Sequence, residues 1–471
     1  MIVMKFGGSS VDSAQSIKRV VGIVRAQRHR RPVVVVSAMA KTTRKLDEAA
    51  GAAAAGDAAA GDLDLARALS EELRHFHWRE GHGAVPPDGH PVLDAMLDRY
   101  FDELRLALEQ VASTGKVTPR LADQVASFGE LLSSAILALA LDRSGDQEDG
   151  LEAPWIDCRQ VLITNADFTR AQPIYEETEP RLQEALLPHL EEGRVPVLGG
   201  YVGATPEGVT TTLGYEGSDF SAAIVGAALG AEEIQIWTDV DGMMTADPRV
   251  VRMARCIRSL SFNEALELAC SGAKKPHHGT LGPASRADVP IRILSSRHLA
   301  SRSIAEGTLI GRRNDAAPGI KSIACKPAVH QILLRPAVRG GSSGSFLDRI
   351  EEVCERFRPA LLVLSAAERQ AELSLDRADR LNEIREALER FANVEIGRGR
   401  AVVTLVSEDL ASSPELAERT MDMARSWEPQ LVLRGVSAPC IRCLVEEPEA
   451  EAVVAELHAR VFPGLSEEPV P

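Results

Sequence analysis

The chain is poor in basic residues, since 53 Lys and Arg face 68 Asp and Glu and give a net charge of −15. Such a balance argues against a protein that grips a nucleic-acid backbone. The sequence has no uninterrupted apolar run of the ~20 residues that a membrane span needs. Lysine and two glycines stand near the start, where a signal peptide would need an apolar core. Seven scattered cysteines indicate free thiols in a reducing compartment. We therefore expect a cytoplasmic protein.

With 471 residues and 45% hydrophobic composition, the chain is long enough for two or three domains with substantial cores. A small-molecule enzyme fits this composition best. Two patterns that could indicate metal are set aside. Cys440 and Cys443 form an isolated CxxC within a predicted strand. Four histidines at 75, 77, 82 and 90 match no closed ligand set, so we predict that they are surface residues.

The stretch 210–249 has the pattern of a nucleotide pocket. A glycine-bearing turn over 213–217 precedes Ser218 and Asp219, which we expect just before a helix over 220–229. The amide groups and the dipole at such a helix start favour an anion such as phosphate. A buried strand over 234–238 then delivers Thr238 and Asp239 to its carboxyl end, where ligands bind in open α/β sheets.

Two further strands carry groups suited to phosphate. The strand over 2–6 ends near Lys5 and is followed by Gly7 and Gly8, whose amides can approach a phosphate closely. The β-branched run over 32–36 predicts a buried strand that ends at Ser37. No GxxxxGK[ST] motif occurs, so the Walker type of phosphate binding is excluded.

Five blocks follow one another along the chain: Lys5-Phe6-Gly7-Gly8, Ser37-Ala38-Met39 with Thr43, Ser127-Phe128-Gly129-Glu130, the stretch 210–249 with its Thr-x-Asp-Pro-Arg loop, and Gly272-Ala273-Lys274. In these blocks and their order the chain closely resembles the aspartate kinases of the amino-acid kinase family.

The resemblance implies an ATP- and Mg²⁺-dependent kinase that converts L-aspartate to 4-phospho-L-aspartate. It assigns catalysis to Lys5, Asp219 and Lys274, with Lys275 as a rival for the last. It assigns the nucleotide to Gly7, Gly8, Ser37, Ser218, Thr238, Asp239 and Arg249. Thr43, Glu130 and the residue at Tyr215 would face the amino acid, with Glu130 holding its ammonium group. No protein side chain is assigned to a metal.

Alternating strands and helices over 1–312 predict a layered α/β domain. A polar segment over 311–319 resembles a hinge. The pattern strand, helix, strand, strand, helix and a similar second cycle then predict ferredoxin-like modules over 320–392 and 393–465. After a kinase domain of this kind, they resemble paired ACT domains that sense amino-acid effectors. We accordingly expect a homodimer or higher homo-oligomer. We expect the protein to bind ATP, an amino-acid substrate and an amino-acid effector, and not nucleic acid or membranes.

The sequence departs from the family at the glycine turn. The family has Gly-Arg-Gly-Gly-Ser-Asp, and its arginine grips a carboxylate of aspartate, whereas Tyr215 offers one neutral donor and Glu216 adds negative charge. Two alternatives to aspartate phosphorylation follow from this change. The chain would be a kinase for a related carboxylate or modified amino acid, or a non-catalytic regulator that binds an amino acid.

Overall fold

The structure is a computed structural model that describes residues 1–55, 61–145, 150–214, 216–272, 278–297, 307–312, 319–337, 343–357, 361–367, 370–375, 380–427, 429, 431–434 and 439–463. By its internal contacts the chain forms two compact units. The first comprises Met1–Gly242 and Pro276–Arg312, and the second comprises Met243–Lys275 and Arg313–Pro471. A segment that the sequence placed within the first domain thus groups with the C-terminal part of the chain.

The strands, in chain order, are β1 (Ile2–Phe6), β2 (Pro32–Val36), β3 (Trp155–Ile156), β4 (Val197–Gly199), β5 (Val202–Ala204), β6 (Thr210–Thr212), β7 (Glu233–Thr238), β8 (Ser259–Ser261), β9 (Ile291–Ser295), β10 (Thr308–Gly311), β11 (Ser322–Pro336), β12 (Leu361–Ala367), β13 (Gln370–Leu375), β14 (Ala392–Val406), β15 (Leu431–Arg434) and β16 (Cys440–Glu446).

The helices are α1 (Ala14–Ala26), α2 (Thr42–Ala54), α3 (Gly61–Ala84), α4 (His90–Thr114), α5 (Pro119–Asp142), α6 (Cys158–Val161), α7 (Tyr175–Glu191), α8 (Gly217–Leu229), α9 (Phe262–Cys270), α10 (His278–Ala287), α11 (Ser343–Phe357), α12 (Leu381–Glu389), α13 (Asp409–Ser412), α14 (Pro414–Arg425) and α15 (Ala450–Val461).

The first unit is built on a largely parallel sheet with the strand order β3-β4-β2-β1-β7-β9-β10. Strands β1, β2 and β7 are buried along their whole length, which explains their unbroken apolar runs. β1 lies between β2 and β7, with Phe6 beside Val36 and Trp237. The carboxyl ends of β1, β2, β4 and β7 therefore reach the same edge of the sheet. Only β10 runs antiparallel to its neighbour β9 within this order.

Helix α5 crosses the core of the first unit. Among the described residues it alone is long and apolar enough to pass as a membrane span by length and composition, and 89% of its most apolar window is buried within the protein. Thr118 caps its start by accepting a hydrogen bond from Leu121 N. Its buried positions include two carboxylates, Asp123 and Glu130, which lie about two turns apart.

The second unit contains one continuous antiparallel sheet with the order β12-β13-β11-β14-β16-β15. The long strands β11 and β14 pair along most of their length and serve both ferredoxin-like modules that the sequence predicted. Helix α9 belongs to this unit. Its Glu264 is fully buried, closes a capping box with Ser261, and accepts a hydrogen bond from Glu408 N at 2.9 Å.

Two of the local predictions need correction. His77 is not a surface residue but is completely buried, with its Nδ1 2.8 Å from Leu73 O, and burial lowers its pKa to about 4. Helix α8 begins at Gly217, so Ser218 and Asp219 lie within its first turn rather than before it. Hydrophobic periodicity misses this start because the first turn carries no apolar residue until Phe220.

Candidate active site

The loops that leave the central strands are held side by side by backbone hydrogen bonds. Gly7 N donates to Trp237 O at 3.1 Å, Ser37 N donates to Phe6 O at 3.0 Å, and Gly200 N donates to Val36 O at 2.9 Å. These bonds continue the sheet by one residue past its strands. The residues of β1, β2 and β7 that are predicted to bind phosphate are thereby brought to one edge of the sheet.

Lys5 and Asp219 form an ion pair at this edge. Their side chains are 5% and 0% exposed, so the pair is shielded from solvent. Lys5 lies near the end of β1, and Asp219 lies in the first turn of α8. The two residues predicted to handle phosphate are therefore in direct contact, although they come from distant parts of the chain.

The glycine turn before α8 uses left-handed backbone. Gly214 has φ +80° and Glu216 has φ +56°. Residues other than glycine adopt this left-handed backbone conformation only at a cost in energy. Glu216 stands where the resembled family has glycine, so in this chain a residue poorly suited to the left-handed backbone occupies the turn. Ser218 is buried after the turn and lies against Gly200, where an added Cβ would come within 2.6 Å of Ser218 Cα.

Glu130 is buried on α5 at the same edge. Its Oε1 accepts a hydrogen bond from Ala38 N at 3.1 Å, while its Oε2 is buried and has no partner among the described residues. Burial raises the pKa of the Glu130 carboxyl to about 8, and the positive charge of Lys5 opposes that rise. A buried carboxylate oxygen with a spare acceptor position suits an ammonium group.

Thr43 lies next to the helix turn that carries Glu130. A Cβ on Gly129 would be 3.4 Å from Thr43 Oγ1 and 2.8 Å from Ala38 Cβ, so these elements pack closely. Gly199 on β4 packs against the main chain and Cβ of Glu130, because its added Cβ would lie 3.1 Å from both Glu130 Cβ and Glu130 O. The structure thus brings Thr43 and Glu130 together, as predicted.

Gly8 fits tightly against the loop that follows β2, because a Cβ added to Gly8 would lie 2.7 Å from Ala38 O. Thr238 Oγ1 donates to Asp239 Oδ1 at 3.2 Å, and Thr238 O accepts from Ser296 N at 2.8 Å. Arg297 lies 3.7 Å from the half-exposed carboxylate of Asp239. Thr238 and Asp239 therefore occupy the end of β7 next to the Gly7 loop, as predicted.

Four of the residues named from the sequence cannot be placed with this group. Arg249 belongs to the second unit, where its exposed guanidinium pairs with Asp247. Lys274, its rival Lys275 and Tyr215 lie outside the residues that the structure describes.

Two residues at this edge were missed in the sequence. Asp123 is buried and accepts hydrogen bonds from Thr169 N at 2.9 Å, Thr212 N at 3.0 Å and Thr212 Oγ1 at 2.6 Å. Tyr201 follows Gly199 and Gly200 and has φ +64°. The signal for Asp123 was its position about two helical turns before Glu130, on the same face of α5. Tyr201 carried no signal beyond the two preceding glycines.

Comparison with known proteins decides the family. The amino acid kinase family model matches residues 1–295. Aspartokinase 2 of Arabidopsis thaliana is 32% identical over 98% of this chain and 84% of its own length. The chain belongs to the aspartokinases.

The solved structures agree with this assignment. Escherichia coli aspartokinase III in complex with aspartate and ADP (R-state) has a TM-score of 0.83 at 29% identity, over 98% of this chain and 100% of that chain. The same enzyme in complex with lysine and aspartate (T-state) has a TM-score of 0.77 at 29% identity, over 98% and 99%. The predicted fold class and aspartate kinase function are confirmed, and neither alternative function is better supported.

Proposed function

We propose that this aspartokinase transfers the γ-phosphoryl group of ATP to the side-chain carboxylate of L-aspartate and releases 4-phospho-L-aspartate and ADP. The observation that carries the proposal is the buried Lys5–Asp219 pair at the start of α8, beside the ends of the parallel strands. Phosphoryl transfer needs charge neutralisation and alignment rather than covalent help from the protein.

On the phosphate side, Lys5 and the helix start supply positive potential, and Asp219 holds the Lys5 ammonium in place. The amides of Gly7 and Gly8 approach the phosphates, with Ser37, Ser218, Thr238 and Asp239 completing the nucleotide side. Lys274 and Arg249 enter this proposal from the family resemblance alone. Mg²⁺ bound to the ATP phosphates would neutralise their charge. The buried carboxylate of Asp219 supplies oxygen atoms of the kind that bind Mg²⁺ and would orient the ion.

On the amino-acid side, Glu130 offers its spare Oε2 to the substrate ammonium group, and Thr43 lies beside it. The residue at 215 faces the carboxylate in the resembled family. A neutral tyrosine there weakens aspartate binding relative to arginine. The amino group and the phosphate groups are thereby recognised by separate sets of side chains.

For regulation we propose an amino-acid effector that binds the ferredoxin-like modules over 320–392 and 393–465, with 1–312 as the catalytic region. Support comes from the second unit's continuous sheet and from the lysine complex of the E. coli relative. Assembly into a homodimer or higher homo-oligomer and location in the cytoplasm belong to the same proposal.

Purified protein incubated with ATP, Mg²⁺, L-aspartate and hydroxylamine tests the function, because hydroxylamine traps an acyl phosphate as a hydroxamate, which ferric iron turns into a coloured complex. We expect hydroxamate with aspartate, none after chelation of Mg²⁺, and none from the Lys5→Met variant. Turnover with other carboxylic acids but not with aspartate would support the first alternative. Binding of aspartate without any turnover would support the non-catalytic regulator.

A further inference from the structure

Asp123 is a buried carboxylate that joins three separate parts of the first unit. It lies in α5 and is 1% exposed. Its Oδ2 accepts hydrogen bonds from Thr169 N at 2.9 Å and from Thr212 N at 3.0 Å. Its Oδ1 accepts from Thr169 N at 3.0 Å and from Thr212 Oγ1 at 2.6 Å. Helix α5, the loop after α6 and the end of β6 are therefore tied to one side chain.

The donors around Asp123 require a group that accepts at both of its oxygens. The amides of Thr169 and Thr212 can only donate, and the Thr212 hydroxyl donates as well when the carboxylate is ionised. A buried carboxylate is costly unless it is hydrogen-bonded in this way. All the donors belong to the protein itself, so Asp123 holds main chain in place.

Thr169 has a strained backbone conformation that these contacts enforce. Its φ of +73° lies in the left-handed region, where a β-branched residue is an outlier. Its amide is bonded to Asp123, and its carbonyl lies against the glycine turn, where a Cβ added to Gly214 would be 3.1 Å from Thr169 O. Strain of this kind persists where the surrounding structure imposes it, and it concentrates at functional sites.

Thr212 carries the position of Asp123 towards α8. Its amide donates to Asp123, and its carbonyl accepts from Ala171 N at 2.8 Å, so its main chain is fixed on both sides. Only residues 213–216 separate it from Gly217, where α8 begins. The end of β6 is thus anchored immediately before the glycine turn.

The turn itself is short and is closed by its own main-chain hydrogen bonds. Gly217 N donates to Gly214 O at 3.0 Å, and Asp219 N donates to Glu216 O at 3.1 Å. A displacement of Thr212 would therefore move the first turn of α8 with it, because the connection has little slack to absorb the movement.

The helix that carries Asp123 also carries Glu130, the proposed acceptor for the substrate ammonium group. The two residues are seven positions apart in α5, which is about 10 Å along the helix axis. Asp123 thus fastens the phosphate side of the site to the helix that holds the amino acid. Phosphoryl transfer depends on the alignment of these two sides.

We propose that Asp123 is a positioning residue for phosphoryl transfer, which holds Thr169 and Thr212 so that a phosphate bound at α8 is aligned with an amino acid bound at Glu130. This inference rests on the proposed function and assigns part of its alignment to a residue outside the substrate contacts. Such a residue acts on kcat, because each ligand keeps its own binding groups while their relative placement is lost.

The Asp123→Ala variant tests the proposal because it removes all four contacts. We expect kcat for hydroxamate formation to fall about 100-fold, while the KM values for aspartate and ATP stay within about threefold. Asp123→Asn keeps one oxygen for the two amides, and its nitrogen can donate to Thr212 Oγ1, so it should recover at least about tenfold of that loss. Rates are compared at a temperature where thermal melts show every variant to be folded.

A matched pair of threonine variants separates positioning from a general loss of stability. Thr212→Val deletes the hydroxyl bond to Asp123 and should lower kcat about tenfold, whereas Thr212→Ser keeps the hydroxyl and should restore kcat. Thr178 in α7 is the control, since it is equally buried and its hydroxyl accepts from Ile163 N at 3.0 Å and donates to Ile163 O at 2.9 Å. Thr178→Val should lower the melting temperature and leave kcat within about twofold.

Amide hydrogen exchange measures the same positioning without turnover. Asp123→Ala should speed exchange over 165–173 and 210–219 and leave exchange over 14–26 in α1 as in the wild type. Unchanged kcat in Asp123→Ala, an equal loss of kcat in Thr178→Val, or unchanged exchange over 210–219 would overturn the inference. Absence of turnover in the wild-type protein would contradict the proposed function, and the exchange result would still decide whether Asp123 holds the turn.

Discussion

Lys5 and Asp219 are paired in a site where their side chains are almost inaccessible to water, and each is the other's charge partner. Removal of one member breaks a buried ion pair, which typically costs about 3–5 kcal/mol. Breaking the pair is therefore expected to affect stability as well as the proposed handling of phosphate. The two effects can be separated by mutation.

We predict that Lys5→Met and Asp219→Asn each lower the free energy of unfolding and abolish turnover. The double variant Lys5→Met/Asp219→Asn should regain much of the lost stability, because both charges of the pair are removed together, yet stay inactive. Urea unfolding and the hydroxamate assay measure the two effects. Activity in the double variant would contradict the role of this pair in phosphoryl transfer.

Glu130 should make both stability and substrate binding depend on pH. Its pKa is raised from 4.5 to about 8, so the folded protein holds the proton more tightly than the unfolded chain. The free energy of unfolding therefore falls as pH rises between those two values, and Glu130→Gln removes that fall. Thermal melts of both proteins at pH 5 and pH 8 should show Glu130→Gln gaining relative to wild type at the higher pH.

Substrate binding should follow the opposite trend, because the ammonium group pairs with ionised Glu130. We expect the KM for aspartate to fall as pH rises from 6 towards 8, and to be high and nearly independent of pH in Glu130→Gln. Initial rates across this range provide the test. A pH dependence that survives in the variant would assign the titration to another group.

Gly200 should tolerate no side chain. Its added Cβ would come within 2.6 Å of Ser218 Cα and Cβ, so Gly200→Ala must displace the first turn of α8 and with it Asp219. A misplacement on the order of 1 Å costs about 100-fold in rate. Gly22→Ala is the matched control, since that position on α1 has nothing within 4 Å and should gain about 0.5–1 kcal/mol of stability with full activity.

The tyrosine at 215 should limit affinity for aspartate. Tyr215→Arg introduces a bidentate partner for a carboxylate, and we expect the KM for aspartate to fall about tenfold or more. Tyr215→Phe measures what the native hydroxyl contributes. If Tyr215→Arg leaves the KM unchanged, another cation already grips that carboxylate and the turn is not the limiting feature.

Much of this site could be predicted from the sequence because strand ends are readable. The runs before Lys5, Ser37 and Thr238 are apolar and β-branched, and parallel strands deliver their ends to one edge. Glu130 was found through its Gly-Glu block.

Asp123 and Tyr201 were missed because their partners are defined only by tertiary packing. Asp123 looks like an ordinary polar residue near a helix start, and nothing local shows that Thr169 and Thr212 will converge on it. His77 was misjudged for the same reason, since neighbouring histidines in a helix do not reveal which face packs inward. The backbone conformation of Glu216 could not be predicted from its residue type, because the turn imposes a left-handed backbone on a residue that disfavours it.

The segment Met243–Lys275 packs its Val251 and Ala254 into the same apolar cluster as Ile323 and Val403. The polypeptide thus leaves the first unit and returns to it before the C-terminal part begins. A fragment truncated after Arg312 would keep the segment Met243–Lys275 but lose the residues that cover it, so its apolar side chains would be exposed to water. To produce the first unit on its own, both the segment Met243–Lys275 and the C-terminal residues from Arg313 onward have to be removed.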